Sequence, residues 1–213
     1  MSRPADSIGI YCSYLRENYT ISHVPVHGFL VQTNQIYIHT DDAPCMITAF
    51  RNATILTQNA GREIVSGDLI VEGERILSVG GKYNGSADRE IDCTGCVLMP
   101  GMINTHTHIA MTVMKGCVDD LQFPDFLAKT FKVDADRTDK DLEIGTKLGC
   151  LEMMSCGTTT FVDMYYSEDV IAKATQEAGI RGVCCWCCLD EDKTTQKGNP
   201  LDNAKAFYGK FKG

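Results

Sequence analysis

No stretch of this 213-residue chain approaches the roughly 18 consecutive apolar residues that a membrane-spanning helix needs. Positive charge is in deficit: 20 Lys and Arg against 28 Asp and Glu leave a formal charge of −8. A nucleic-acid partner is therefore not expected, since phosphate binding wants a basic face. No G-x-G-x-x-G or G-x-x-x-x-G-K-[ST] follows any candidate strand, which removes the two common phosphate cradles. The N-terminus, Met1-Ser2-Arg3-Pro4-Ala5-Asp6, has neither the basic start nor the apolar core of a signal peptide, so the cytoplasm is the expected compartment. Histidine is scarce, with five in all, at positions 23, 27, 39, 106 and 108. With 44% hydrophobic and 23% charged residues, what remains is an ordinary globular chain.

Cysteine is abundant, at eleven residues. Without a secretory signal a disulfide framework is a poor reading. Cys184-Cys185-Trp186-Cys187-Cys188 and Cys93-Thr94-Gly95-Cys96 contain C-x-x-C spacings from which a four-thiolate zinc or iron–sulfur site can be drawn. The 184–188 cluster, however, lies in an apolar run that reads as a buried strand, where neighbouring side chains face opposite ways and converge badly on one ion. Core filling is the reading preferred, because free cysteine packs as a small hydrophobe.

Residues 1–45 show no sustained period and no motif, and no function is assigned to them. From Ile47 to Asp92 the pattern is β: Ile47–Leu56 is rich in β-branched residues, and Asp68–Val71 and Arg75–Val79 flank a turn at Glu72-Gly73-Glu74. A small antiparallel sheet is expected there. Beyond His108, strands and helices alternate. Phe123, Phe126, Leu127 and Phe131 recur at helical spacing. Thr138-Asp139-Lys140-Asp141 opens a helix as a capping box, its face carrying Ile144, Leu148 and Leu151. That helix stops at Gly157 and is followed by a strand over Thr158–Met164. Ser167 caps a helix bearing Val170, Ile171, Ala174 and Ala178, a third strand runs over Arg181–Leu189, and Asn199-Pro200 opens a last helix. Strands joined by helices imply a parallel sheet.

The chemistry concentrates in Met99-Pro100-Gly101-Met102-Ile103-Asn104-Thr105-His106-Thr107-His108. In an extended strand, residues two apart project to the same side. His106 and His108 can therefore meet on one metal ion. A His-x-His in a surface loop would instead be satisfied by hydrogen bonds; the strand context favours the metal.

Pro100 to His108, continued by Ile109-Ala110-Met111-Thr112, resembles the first barrel strand of the amidohydrolase superfamily. It looks most like the metal-dependent deaminase and chlorohydrolase branch that includes 5-methylthioadenosine/S-adenosylhomocysteine deaminases. The resemblance extends from about Ile47 to the end of the chain. It implies an α/β fold: the N-terminal part of a (β/α)8 TIM barrel, about three βα units, preceded by part of a small composite β-sandwich. Residues 1–45 are then an unassigned N-terminal extension, 46–96 the sandwich strands and 97–213 the first part of the barrel. A complete barrel needs eight units and typically about 250 residues, so the chain is expected to be a portion of a longer enzyme, inactive alone.

The resemblance further implies one divalent metal ion, Zn2+ or alternatively Fe2+, held by His106 and His108, a third histidine and a last-strand aspartate. The latter two, and the glutamate that shuttles protons, would fall beyond residue 213. No catalytic residue is therefore expected within this chain. Met111 and Phe126 are candidate pocket walls. The family's acidic ribose-binding position falls on Ala135, and a one-residue shift would bring Asp134 into that role. The expected reaction is hydrolytic deamination of an adenosine-type nucleoside or related amino-heterocycle by the full-length protein, a homo-oligomer being compatible with it. The alternatives are a chlorohydrolase, a guanine or cytosine deaminase, a binuclear amidohydrolase, or a non-catalytic fragment that binds metal or a partner chain. Asp163, near the end of the second barrel strand, reads as a structural hydrogen-bond acceptor.

Overall fold

The computed structural model describes residues 46–190 and 193–211, together with the backbone of a short antiparallel hairpin, β1 (His23–Val26) and β2 (Phe29–Gln32). The remainder of the 1–45 segment, including the side chains of His23, His27 and His39, lies outside the described residues. The chain divides into two compact units, Met1–Met102 with Met154–Thr159, and Ile103–Met153 with Thr160–Gly213.

In the first unit, β3 (Ile47–Leu56), β4 (Ile64–Glu72), β5 (Arg75–Val79), β6 (Arg89–Asp92) and β7 (Val97–Leu98) form a five-stranded sheet. The order is β5-β4-β3-β6, with β7 also on β3. The β4–β5 hairpin turns where Gly73 was expected to turn it. The sheet is not wholly antiparallel as expected: β6 and β7 both pair parallel to β3, because residues 80–88 carry the chain back past β3 before pairing resumes. The strand β3 bulges between Phe50 and Ala53, and Asp68 holds the bulge. Its carboxylate accepts the Asn52 N–H at 3.1 Å, the Tyr83 N–H at 3.0 Å and Arg51 Nη1 at 2.8 Å. Phe50, Ile55, Leu69, Val71 and Leu98 fill the core beneath, with Cys93 and Cys96 among them as small apolar groups.

The second unit is built on a three-stranded sheet ordered β10-β9-β8, made of β8 (Met102–Thr107), β9 (Thr158–Tyr165) and β10 (Arg181–Trp186). Strands β9 and β10 are parallel, with Thr160 opposite Arg181 and Tyr165 opposite Trp186. A 3-10 helix (Ile109–Met114), α1 (Phe123–Ala135) and α2 (Asp139–Ser155) lie between β8 and β9 in sequence. Then α3 (Glu168–Ala178) joins β9 to β10, and α4 (Pro200–Phe211) follows. Two of the three helix-start signals operate as read, those at Thr138 and Asn199; the cap expected of Ser167 does not form. Thr138 and Asp141 form a reciprocal capping box, Thr138 N–H to Asp141 Oδ2 at 2.8 Å and Asp141 N–H to Thr138 Oγ1 at 3.3 Å. Asn199 Oδ1 accepts the N–H groups of Leu201 and Asp202. Ser167 stands at the start of α3 without a side-chain capping bond, its backbone left-handed at φ 55°.

The buried helix faces differ from those expected. Phe123 and Phe131 on α1 are exposed, and the buried positions are Thr130 and Asp134. On α2, Ile144, Leu148 and Leu151 are exposed, while Leu142, Gly145, Thr146, Gly149 and Cys150 are buried. Close backbone approach is the reason. A Cβ on Gly145 would lie 2.2 Å from the Ala110 carbonyl oxygen, and one on Gly149 would lie 2.5 Å from Ile109 Cγ1. Two absent side chains, not an apolar stripe, select this face. The cysteine run is also less buried than expected: Cys185, on the edge strand β10, and Cys188, beyond its end, are both exposed. Among the described residues no helix is long and apolar enough to cross a membrane.

Candidate metal site

Strand β8 enters past Gly101, where a Cβ would stand 2.2 Å from Thr159 Oγ1, and its first N–H, on Met102, bonds the Gly157 carbonyl at 2.9 Å. It ends on the two histidines. His106 belongs to the strand and His108 caps the 3-10 helix beyond it. Their rings stand edge to face with centroids 5.0 Å apart, as side chains two apart on one strand face should. His108 Nδ1 lies 2.7 Å from the Met164 carbonyl oxygen on β9. A carbonyl only accepts, so Nδ1 carries a proton, and in the neutral ring this leaves the lone pair on Nε2, the form a metal ligand needs.

Below the histidines lies a pair of fully buried carboxyls, Asp163 and Glu168. Asp163 Oδ1 accepts the Ile109 N–H at 2.6 Å, the structural role read for it, and Glu168 Oε1 accepts the Tyr165 N–H at 2.8 Å. Asp163 and Glu168 also bond one another, one proton serving the two carboxyls, and the Cys184 thiol is a further donor to Glu168. Burial pushes both groups upward; the Ile109 N–H opposes the rise on Asp163, whereas on Glu168 the charge of Asp163 adds to it and outweighs the opposing Cys184 thiol and Tyr165 N–H. Glu168 is therefore the member that holds the proton.

Asp134 sits in a third network. It is buried, paired through Oδ1 with both Arg137 and the Tyr165 hydroxyl, while Oδ2 accepts the Thr195 hydroxyl at 3.1 Å. Arg137 also donates to the Tyr165 hydroxyl and, through Nη1, to the Ala110 carbonyl at 3.1 Å. With both oxygens engaged inside the protein, Asp134 does not present the free carboxylate expected of a ribose-binding residue. Met111 lies half-buried in the 3-10 helix just after His108, and half-buried Phe126 stacks on Phe123 at 6.4 Å on α1.

Among the described residues, no group of three or more His, Cys, Asp or Glu side chains is placed to hold an ion. The cysteines of 184–188 make no such group, in keeping with the alternation of their faces. The histidine pair brings two imidazoles together, and the tautomer of His108 is one that fits a metal ligand.

Residues 97–210, which contain the pair and all three strands of this sheet, match the model of the amidohydrolase family. The chain belongs to the amidohydrolase family. It is 39% identical over 166 residues to a 5'-deoxyadenosine deaminase of Methanosarcina mazei, covering 76% of this chain and 38% of that protein. It is 40% identical over 129 residues to a 5-methylthioadenosine/S-adenosylhomocysteine deaminase of Thermococcus kodakarensis, covering 60% of this chain and 30% of the relative. In structure it superposes on a zinc-bound adenosine deaminase of Xanthomonas campestris with a TM-score of 0.62 at 24% identity, over 78% of this chain and 39% of the other. This amidohydrolase chain therefore spans well under half the length of these relatives.

Sequence reasoning did not single out Arg137, Tyr165 or Glu168. Arg137 lies three residues after Asp134, just past the end of α1, and the nearness of opposite charges was a usable signal. Glu168 reads in sequence as an ordinary acidic residue in a helix's first turn, and only the fold brings it against Asp163.

Proposed function

We propose that the chain is the N-terminal part of an amidohydrolase-type deaminase and carries one arm of its metal site. Residues 97–213 form the first three βα units of a TIM barrel, 46–96 the N-terminal strands of a composite β-sandwich, and 1–45 an additional segment. His106 and His108 hold one divalent ion, Zn2+ in the first place and Fe2+ in the second. The observation that carries this reading is the side-by-side histidine pair ending β8, with His108 fixed in the Nδ1–H form by Met164. Barrel enzymes place their sites at the C-terminal ends of strands, where this pair stands.

His106 and His108 would hold the ion, whose chemistry there would be to lower the pKa of water to roughly 7 and so supply a nucleophile at neutral pH. This chain's own residues bind and orient: the Met164 carbonyl sets the His108 tautomer, Asp163 ties down the turn that follows, and Met111 and Phe126 wall the substrate side. The deaminase names of the relatives support an adenosine-type nucleoside or related amino-heterocycle as substrate. The zinc in the superposed structure supports zinc as the ion. The remaining ligands and the proton-shuttling carboxylate come from sequence beyond the described residues, so the 213-residue chain alone is not expected to turn over.

The test is ammonia release from 5'-deoxyadenosine, 5-methylthioadenosine and adenosine by the protein extended to its relatives' full length and loaded with zinc. Release that is abolished by His106→Ala and by His108→Ala supports the proposal. Release indifferent to both substitutions, or none from any of these substrates, contradicts it.

A further inference from the structure

One planar side chain spans both ends of the bond that orients His108. The donor of that bond belongs to the segment running from His108 into the 3-10 helix, and its acceptor is the Met164 carbonyl at the end of β9. Arg137 Nη1 donates to the Ala110 carbonyl, two residues beyond His108. Arg137 Nη2 bonds the hydroxyl of Tyr165, the residue after Met164. The guanidinium lies 5.0 Å from the centroid of the Tyr165 ring, and that ring stands 6.1 Å from the His108 ring. Asp134 neutralises the guanidinium and binds the same tyrosine hydroxyl, while Thr195 fixes its other oxygen. The side chains of Arg137 and Asp134 are 7% and 2% exposed, so solvent does not compete for these bonds.

We infer that Arg137, charge-balanced by Asp134, is a positioning residue that holds the Ala110 and Tyr165 segments at the separation that keeps His108 in its Nδ1–H, metal-ready form. The shape of the side chain matters as much as its charge. A guanidinium presents several donors in a fixed fork, whereas an ammonium is a point charge that does not hold the Ala110 carbonyl and the tyrosine hydroxyl in one rigid geometry. The inference rests on the proposed metal role of His108 for its consequence, but not for its geometry.

The test uses the 213-residue chain labelled with 15N. Long-range proton–nitrogen spectra of the imidazoles, with His108 assigned from the His108→Ala variant, report which ring nitrogen carries the proton. The wild type is expected to show His108 as the Nδ1–H tautomer. Arg137→Lys keeps the ion pair with Asp134 and should shift the ratio of the two tautomers by about two- to tenfold toward Nε2–H, the worth of one intramolecular hydrogen bond. Should Arg137→Lys fail to fold, the double variant Asp134→Asn/Arg137→Met, which leaves no unpaired buried charge, is read instead with the same expectation. A folded variant whose His108 tautomer ratio equals that of the wild type overturns the inference, whatever its melting temperature, because a merely structural brace would change stability alone. A parallel zinc titration separates the two ideas. Uptake by the wild type no greater than by His106→Ala sinks the metal reading, while the tautomer ratio still decides the role of Arg137.

Discussion

Glu168→Gln is expected to stabilise the protein, and increasingly so as the pH rises. Glu168 and Asp163 are fully buried, and the proton between them resides on Glu168. In the unfolded chain a glutamate ionises near about pH 4.3. Above that point the wild type folds only by taking up a proton, so the folded state binds more protons than the unfolded state. Stability then falls as pH rises, by about 1.4 kcal/mol per pH unit, until Glu168 ionises in the folded state. Glutamine imitates the protonated side chain: its oxygen still accepts the Tyr165 N–H, and its amide donates toward Asp163 Oδ2. From about pH 5 to about pH 7 the variant should therefore gain about 2–3 kcal/mol on the wild type. Urea unfolding of both proteins at several pH values across that range reads the gap directly. Parallel stability profiles, or a variant that is weaker by the same amount at every pH, would refute the shared-proton account.

Two further expectations come from close packing and charge. Gly145→Ala places a methyl 2.2 Å from the Ala110 carbonyl oxygen. Overpacking of about 1–3 kcal/mol should outweigh the ~1 kcal/mol gain in helix propensity, giving a net loss in denaturant unfolding. Gly209→Ala on α4 meets nothing within 4 Å and should gain stability instead, and a loss there would undo the packing argument. Asp68→Asn should cost about 1–3 kcal/mol through the hydrogen bonds it weakens at the β3 bulge. Burial pushes Asp68 up, but the Tyr83 and Asn52 N–H groups and Arg51 outweigh it and hold the carboxyl below its ordinary value. Its contribution is thus present above the unfolded carboxylate range and is lost as pH falls through the lowered pKa. Acid unfolding that begins no earlier in Asp68→Asn than in the wild type at matched stability would agree, and a difference confined to alkaline pH would not.

Much of the fold was legible because its signals are local. The β-branched run of Ile47–Leu56, the Gly73 turn, the Thr138–Asp141 box and the Asn199 cap each depend on residues within a few positions of one another, and each forms as read. The histidine pair was legible for the same reason, since strand alternation alone puts His106 and His108 on one side. What escaped depends on distant partners. The buried face of α2 is chosen by Ala110 and Ile109 pressing on Gly145 and Gly149, where an apolar-stripe rule points to Ile144, Leu148 and Leu151. The parallel pairing of β6 and β7 with β3 depends on the path of a loop. Asp134 was read as a candidate ribose-binding carboxylate, yet Tyr165 and Thr195, 31 and 61 residues away, claim its oxygens. Glu168 gives no sign of its environment until α3 folds back toward β9.

The most direct measurement is the zinc content of the protein extended to its relatives' full length, after equilibration with the ion and dialysis, compared with His106→Ala and His108→Ala. The account predicts zinc on the wild type that either substitution removes. Equal zinc on all three proteins, or none on the wild type, would contradict the claim that this histidine pair is one arm of a metal site.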